Sequence, residues 1–332
     1  MSVKTQMRKG VEWIDSVVSN QYLRWVGDKP AVLSFLFHTV FDDKDEMHLN
    51  HLDPQQEMCL SDYRYIFDRF RELGFEFVNS EQILAGLDPS NKYVNITFDD
   101  GYRNNFKVLP LLEEYKVPID LFVTTENIKN QHCFCYDVIY RERVKQKKSI
   151  DSIRAEQNLV KTMRHNSILA YLDREFGENC VTPWGDLDRP MNPAEVAEIS
   201  KNKWVRIGNH TKNHYLLTEY SKDEVEDQIS CCQKDLSDWI GNVPNTFAYP
   251  NGNYNQSLFL ILQKHGIDLA FTCDFRKIDI LNWNKGNEPY RLGRFCFLGP
   301  EKIDEQISMF RNDISLFLIT RRAFHWFGNL SR

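Results

Sequence analysis

The chain has 332 residues, a formal net charge of −6, and 42% hydrophobic, 13% aromatic and 27% charged residues. That is the make-up of a folded globular protein, and it excludes collagen-like, coiled-coil and low-complexity chains. The acidic balance supplies no basic footprint for a nucleic-acid backbone, so no nucleic-acid partner is expected.

Eight cysteines, Cys59, Cys133, Cys135, Cys180, Cys231, Cys232, Cys273 and Cys296, follow neither a disulfide framework nor a C-x-x-C spacing. They are read as structural thiols in a reducing compartment. Residues 1–20 carry charges throughout and lack the apolar core of a secretory signal. No stretch approaches the roughly 18 apolar residues of a membrane span. The expectation is a cytoplasmic chain without a transmembrane segment.

In chain order, Ala31 to Val40 is apolar and aromatic and predicts a buried strand with His38 near its far end. Tyr63, Ile66, Phe67, Phe70 and Leu73 recur with helical spacing over Asp62–Leu73, and Gly74 stops that helix before a short strand at Glu76–Val78. Val94–Phe98 predicts the next strand, closed by Asp99-Asp100-Gly101. A helix over Val108–Tyr115, with Pro110 in its first turn, precedes a strand at Ile119–Val123. Residues 131–190 then read as a charged helical insertion. Asn192-Pro193-Ala194-Glu195 has the form of a helix N-terminus, and a strand at Trp204–Ile207 ends in Gly208-Asn209-His210. A long helix at Lys222–Ile240, a strand at Thr246–Tyr249, a helix at Ser257–His265 and strands at Leu269–Thr272 and Tyr290–Phe297 complete the pattern. Such alternation indicates a parallel α/β sheet, open or closed into a barrel, whose working ends are the strand C-termini.

Three polar clusters fall at those ends: Asp99-Asp100, His210 with His214, and Tyr249-Pro250-Asn251-Gly252. Two imidazoles four residues apart can share one metal ion, and a carboxylate can complete the set. Taken singly, each cluster also fits an ordinary turn or a surface histidine pair.

Together and in this order the clusters resemble the polysaccharide deacetylases of carbohydrate esterase family 4, the NodB-homology group. Thr97-Phe98-Asp99-Asp100-Gly101 resembles that family's first motif, His210-Thr211-Lys212-Asn213-His214 its second, and Phe247-Ala248-Tyr249-Pro250-Asn251-Gly252 its third. The resemblance implies a distorted (β/α) barrel of about seven strands with a helical insertion. It divides the chain into an N-terminal helical extension (1–29), the barrel (30–300, with the insertion at about 131–190) and a C-terminal helical segment (301–332). It implies a divalent metal, most simply Zn2+, on Asp100, His210 and His214, and Asp99 as the general base that takes a proton from the attacking water. Asn251, with Tyr249, falls at the oxyanion or substrate position.

Two departures stand out. The arginine that usually orients the base is replaced by Ala248, which makes Arg291 or Arg294 the candidate substitute. The usual C-terminal histidine acid has no counterpart, while Leu33-Ser34-Phe35-Leu36-Phe37-His38 has the same form at the N-terminal strand. His38 is therefore assigned as the acid.

The reaction expected is metal-dependent removal of an N-acetyl or similar small acyl group from an amino sugar, in a glycan or in a lipid-linked or nucleotide-sugar intermediate. Hydrolysis of an N-formyl or O-acetyl bond by the same residues is one alternative. A catalytically silent carbohydrate-binding chain is another. Ile314 to Arg332 mixes Leu316, Phe317, Phe324, Trp326 and Phe327 with arginines, as a helix packed on the barrel or one lying peripherally on the inner face of a membrane would.

Overall fold

The computed structural model describes residues 15, 17–315 and 318. Most of the C-terminal segment proposed to meet a membrane lies outside the described residues. Among the described residues, no helix is long and apolar enough to cross a membrane.

Eight strands build one sheet: β1 (Ala31–Phe37), β2 (Glu76–Phe77), β3 (Tyr93–Phe98), β4 (Ile119–Val123), β5 (Val205–Asn209), β6 (Thr246–Ala248), β7 (Leu269–Phe271) and β8 (Ile278–Asp279). Their order is β7-β6-β5-β4-β3-β1-β8, with β2 beside β3. Every pair is parallel except β1 with β8. β1 and β3 are buried at every position, as strands covered on both faces must be, which explains their unbroken apolar and aromatic runs. The main helices around the sheet are α1 (Leu60–Glu72), α2 (Leu109–Tyr115), α3 (Cys135–Lys145), α4 (Ile150–Lys161), α5 (His165–Phe176), α6 (Pro193–Ile199), α7 (Lys222–Ile240), α8 (Ser257–Lys264) and α9 (Ile303–Arg311). At α6 the Asn192 side chain accepts from the Glu195 N–H while Glu195 reaches back to the Asn192 N–H, with Pro193 as the first helical residue.

Register brings the strand ends to one rim. Phe37 pairs with Phe98, Phe98 with Leu121, Val123 with Asn209, Asn209 with Phe247, and Ala248 with Phe271. His38, Asp99, His210 and Tyr249 therefore each follow a strand on the same edge of the sheet.

The expected last strand, Tyr290–Phe297, is not a regular strand. Glu288–Tyr290 is a 3-10 turn, and the segment after it pairs only at isolated bridges, Leu292 with Phe271 and Phe295 with Phe35. The reason lies in its position between two strands that do not pair with each other. The Leu292 N–H donates to Ala270 of β7 at 2.9 Å, and three residues on the Phe295 N–H donates to Ser34 of β1 at 2.7 Å. The segment crosses from β7 to β1 and curls the sheet into a distorted (β/α) barrel. Phe295 and Phe297 then pack against Phe35, with ring centroids 5.9 and 5.0 Å away.

Between β4 and β5 the helices α3, α4 and α5 build a small core of their own from Val138, Ile139, Ile153, Val160 and Leu172. The fully buried pair Arg141–Asp188, 2.6 Å apart, ties α3 to the chain that returns toward the barrel.

Close packing of the strands constrains β5. A Cβ on Gly208 would lie 2.4 Å from the Phe122 ring and 2.8 Å from Thr246 Oγ1. Gly208→Ala is expected to cost about 1–3 kcal/mol, read as a lower urea midpoint with an unchanged slope.

Candidate active site

The rim carries an open cavity of about 470 Å³ lined by His38, Asp99, Asp100, Tyr136, His210, His214 and Asn251, with Gln56, Arg154 and Lys161 on its outer wall. Asp99 continues β3, its N–H donating to the Phe37 carbonyl at 2.9 Å. Asp100 follows with φ 77°, and Thr211, His214 and Asn251 also lie at φ between 55° and 68°. Non-glycine residues take this left-handed backbone at a cost, and such strain gathers where side chains must be aimed at one point. Here all four belong to the three motifs. At the third motif a glycine is required as well, since a Cβ on Gly252 would lie 2.5 Å from the Cys273 Cβ.

The second motif is strapped down. Asn209 Oδ1 accepts from the Thr211 N–H at 2.8 Å, and Gln228 of α7 both accepts from the Asn213 N–H and donates to Asn213 Oδ1, each at 2.8 Å. His210 Nδ1 lies 2.8 Å from the Ala248 carbonyl, a contact that places the proton on Nδ1 and leaves Nε2 free. His210 Nε2 and His214 Nε2 are each 3.5 Å from Asp100 Oδ1. That oxygen is buried without a hydrogen-bond partner. The ligand atoms of the three residues lie within 4.8 Å of one another. One carboxylate oxygen and two imidazole nitrogens converging on an orphaned acceptor fit a divalent cation with open coordination positions. The other oxygen of Asp100 accepts from the Tyr136 hydroxyl at 2.5 Å.

Arg294 meets Asp99 through both ends of its guanidinium, at 2.7 and 2.9 Å, and both side chains are buried. Its Nη1 also reaches Thr97 Oγ1 and its Nε the Thr272 carbonyl, each at 3.0 Å. Burial works to raise the Asp99 carboxyl, but Arg294 and His210 outweigh it and hold the group below its usual value. Burial works against Asp100 in the same way, and the close approach of His210 and the charge of His214 bring it well below the carboxylate range. His214 is driven down to about 3 by burial, against the pull of Asp100 and with the push of His210 and Lys161. Burial also lowers His38, opposed by Asp100 and Asp99.

Arg291, the other arginine considered for Asp99, instead pairs with Glu288 on the surface. His38 sits where β1 ends, its carbonyl held by Asn105 Nδ2 at 2.8 Å and its Nδ1 without a partner. Asn251 lines the cavity, whereas Tyr249 does not. The Tyr249 N–H donates to the Phe271 carbonyl at 3.0 Å and its hydroxyl to the Tyr290 carbonyl at 2.9 Å, so its donors are used inside the fold. Tyr136 on α3 and the wall residues Gln56, Arg154 and Lys161 had no sequence signal, because each lies far along the chain from the motifs it approaches.

The polysaccharide deacetylase family model matches residues 86–270, more than half of the chain. The chain belongs to the polysaccharide deacetylase family. This is the NodB-homology family, carbohydrate esterase family 4, and the chain is an enzyme of the polysaccharide N-deacetylase class, acting on a carbon–nitrogen amide bond. Its fold is similar to that of the Streptococcus pyogenes deacetylase PplD in complex with acetate, at TM-score 0.56 and 16% identity, over 83% of this chain and 98% of that one. It is also similar to the de-N-acetylase from Aggregatibacter actinomycetemcomitans, at TM-score 0.57 and 17% identity over 84% and 99%. IcaB from Ammonifex degensii aligns at TM-score 0.54 and 15% identity over 86% and 99%. At these identities the likeness concerns the fold. No curated protein matches the chain in sequence.

Proposed function

We propose that this deacetylase hydrolyses the N-acetyl group of an amino sugar in a glycan or glycan intermediate, with Asp100, His210 and His214 holding a divalent ion, Zn2+ fitting the donor set best. When bound, such an ion lowers the pKa of a water and polarises the acyl carbonyl. Asp99, fixed in orientation by the Arg294 fork, takes the proton of the attacking water. The bond between the carbonyl carbon and the sugar nitrogen then breaks. His38, across the cavity, delivers a proton to the departing amine, and acetate leaves. Asn251, held in a left-handed turn at the cavity wall, supports the developing charge on the acyl oxygen.

The observation that carries this reading is the pairing of a buried, arginine-clamped carboxylate with a neighbouring carboxylate whose free oxygen faces two imidazoles. One group is set to move a proton and the other to hold a cation. The barrel at 30–300 carries this chemistry, the helices within 131–190 shape access, and the chain works on its substrate in the cytoplasm or at the inner membrane face.

The test is acetate release from N-acetylated amino-sugar oligomers and glycosyl intermediates. Activity is expected to vanish with a chelator and return with Zn2+. Release of formate, or of acetate from O-acetyl esters only, would move the reaction to another acyl bond. Sugar binding without release of any acid would make the chain a binding protein.

A further inference from the structure

The carboxylate of Asp100 is oriented from outside the three motifs. Asp100 and Tyr136 are both buried, and the Tyr136 hydroxyl donates to Asp100 Oδ2 at 2.5 Å. Oδ1 is then the oxygen left facing His210 Nε2 and His214 Nε2, 3.5 Å from each and without a hydrogen-bond partner among the described residues. Tyr136 belongs to α3, the first helix of the segment between β4 and β5 that builds its own small core.

The direction of that hydroxyl is set by its surroundings. A phenol has one proton to donate. The Tyr102 hydroxyl lies 3.2 Å from the Tyr136 oxygen but 2.6 Å from Asp137 Oδ2, so its proton goes to Asp137 and the Tyr136 proton to Asp100. Asp137 is fixed in turn by the Asp53 N–H at 2.9 Å, and the Tyr136 carbonyl accepts from Gln157 of α4 at 2.9 Å. The Tyr136 ring stacks on Phe134, with centroids 5.4 Å apart and planes 15° from parallel, and stands 6.1 Å from the His214 ring. Backbone, ring and hydroxyl are all held.

A carboxylate held at one oxygen loses its freedom to turn, and outer groups of this kind orient metal ligands and account for much of the affinity. A donor on Oδ2 also disfavours coordination through both oxygens, which would fill a position needed for water or substrate. Resting on the deacetylase reading of the site, we propose that Tyr136 is a positioning residue whose hydroxyl fixes Asp100 as a one-oxygen ligand. The helical insertion then completes the metal centre as well as bordering the cavity.

The test is Tyr136→Phe in the full chain, which keeps the ring against Phe134 and His214 and removes only the hydroxyl. Its Zn2+ affinity, from calorimetric titration of chelator-treated protein, is expected to fall about 10- to 100-fold. The visible bands of the Co2+-loaded protein, which weaken as coordination number rises, should be weaker in the variant than in the wild type. Tyr102→Phe removes a hydroxyl of the same network that does not reach Asp100, and its Zn2+ affinity should stay near that of the wild type. Thermal midpoints of the metal-free proteins are read alongside. A lower midpoint for Tyr136→Phe with unchanged Zn2+ affinity and Co2+ spectrum would make the hydroxyl a support of the fold only and overturn the proposal. Equal loss of affinity in the two variants would trace the effect to general packing and overturn it as well. Acetate release by the wild type is scored separately. Weakened Zn2+ binding in Tyr136→Phe alone, with no acetate released from any N-acetyl sugar by the wild type, would count against the deacetylase reading and leave the role of Tyr136 standing. A wild type that binds no Zn2+ would overturn both.

Discussion

Asp99→Asn is expected to lower kcat by about 10²- to 10⁴-fold, the usual worth of a positioned general base, while the protein keeps its metal. The amide has nearly the shape of the carboxylate and leaves Asp100, His210 and His214 untouched, so the metal ligands stay intact. What it cannot do is accept a proton. KM should move little, because the acyl group is positioned by other residues. The buried Arg294 guanidinium would lose its counter-charge, so the variant should also melt earlier and must be assayed well below its midpoint. Initial rates together with metal content read both halves. Activity within tenfold of wild type would mean that another group takes the proton, and loss of metal would make Asp99 a ligand.

Arg294→Met is expected to be the most damaging change at the site. The pair is buried on both sides, and removing the guanidinium, which also contacts Phe122, Thr97 and Thr272, strands the buried Asp99 carboxylate. Breaking such a pair costs about 3–5 kcal/mol. The pH dependence has a definite sign. Because Asp99 is held below its unfolded value, the pair stabilises the fold above the ordinary carboxylate range, and that contribution is lost as pH falls through the lowered pKa. In Arg294→Met burial acts unopposed by the guanidinium and the Asp99 carboxyl rises. The acid limb of the rate profile should therefore shift to higher pH, together with a lower urea midpoint. Arg294→Lys keeps the charge without the fork and should fall between the two. An unshifted acid limb would show that Arg294 does not set the state of Asp99.

Much of the architecture was legible in the chain because strands buried on both faces write long apolar runs, as at β1, β3 and β4. The closing segment was not, since Leu292 and Phe295 have strand-like composition but pair with different neighbours, a matter of topology that local pattern does not encode. The convergence of Asp100, His210 and His214 was legible because two histidines four residues apart share a loop and Asp100 follows a strand. Arg294 was legible only as one of two arginines on the same segment, since which of them points inward depends on the crossing from β7 to β1. Tyr136 and Lys161 left no trace in the sequence. Both reach the cavity through the packing of α3 and α4, whose own composition is that of any charged amphipathic helix.

The account rests on Asp100, His210 and His214 acting together on one cation. The measurement that tests this most directly is calorimetric titration of chelator-treated protein with Zn2+, with metal content confirmed by mass spectrometry, for the wild type and for His210→Ala. One ion per chain in the wild type, and binding weakened at least to the point of loss on dialysis in His210→Ala, is the predicted result. No binding by the wild type, or equal binding by the variant, would contradict it.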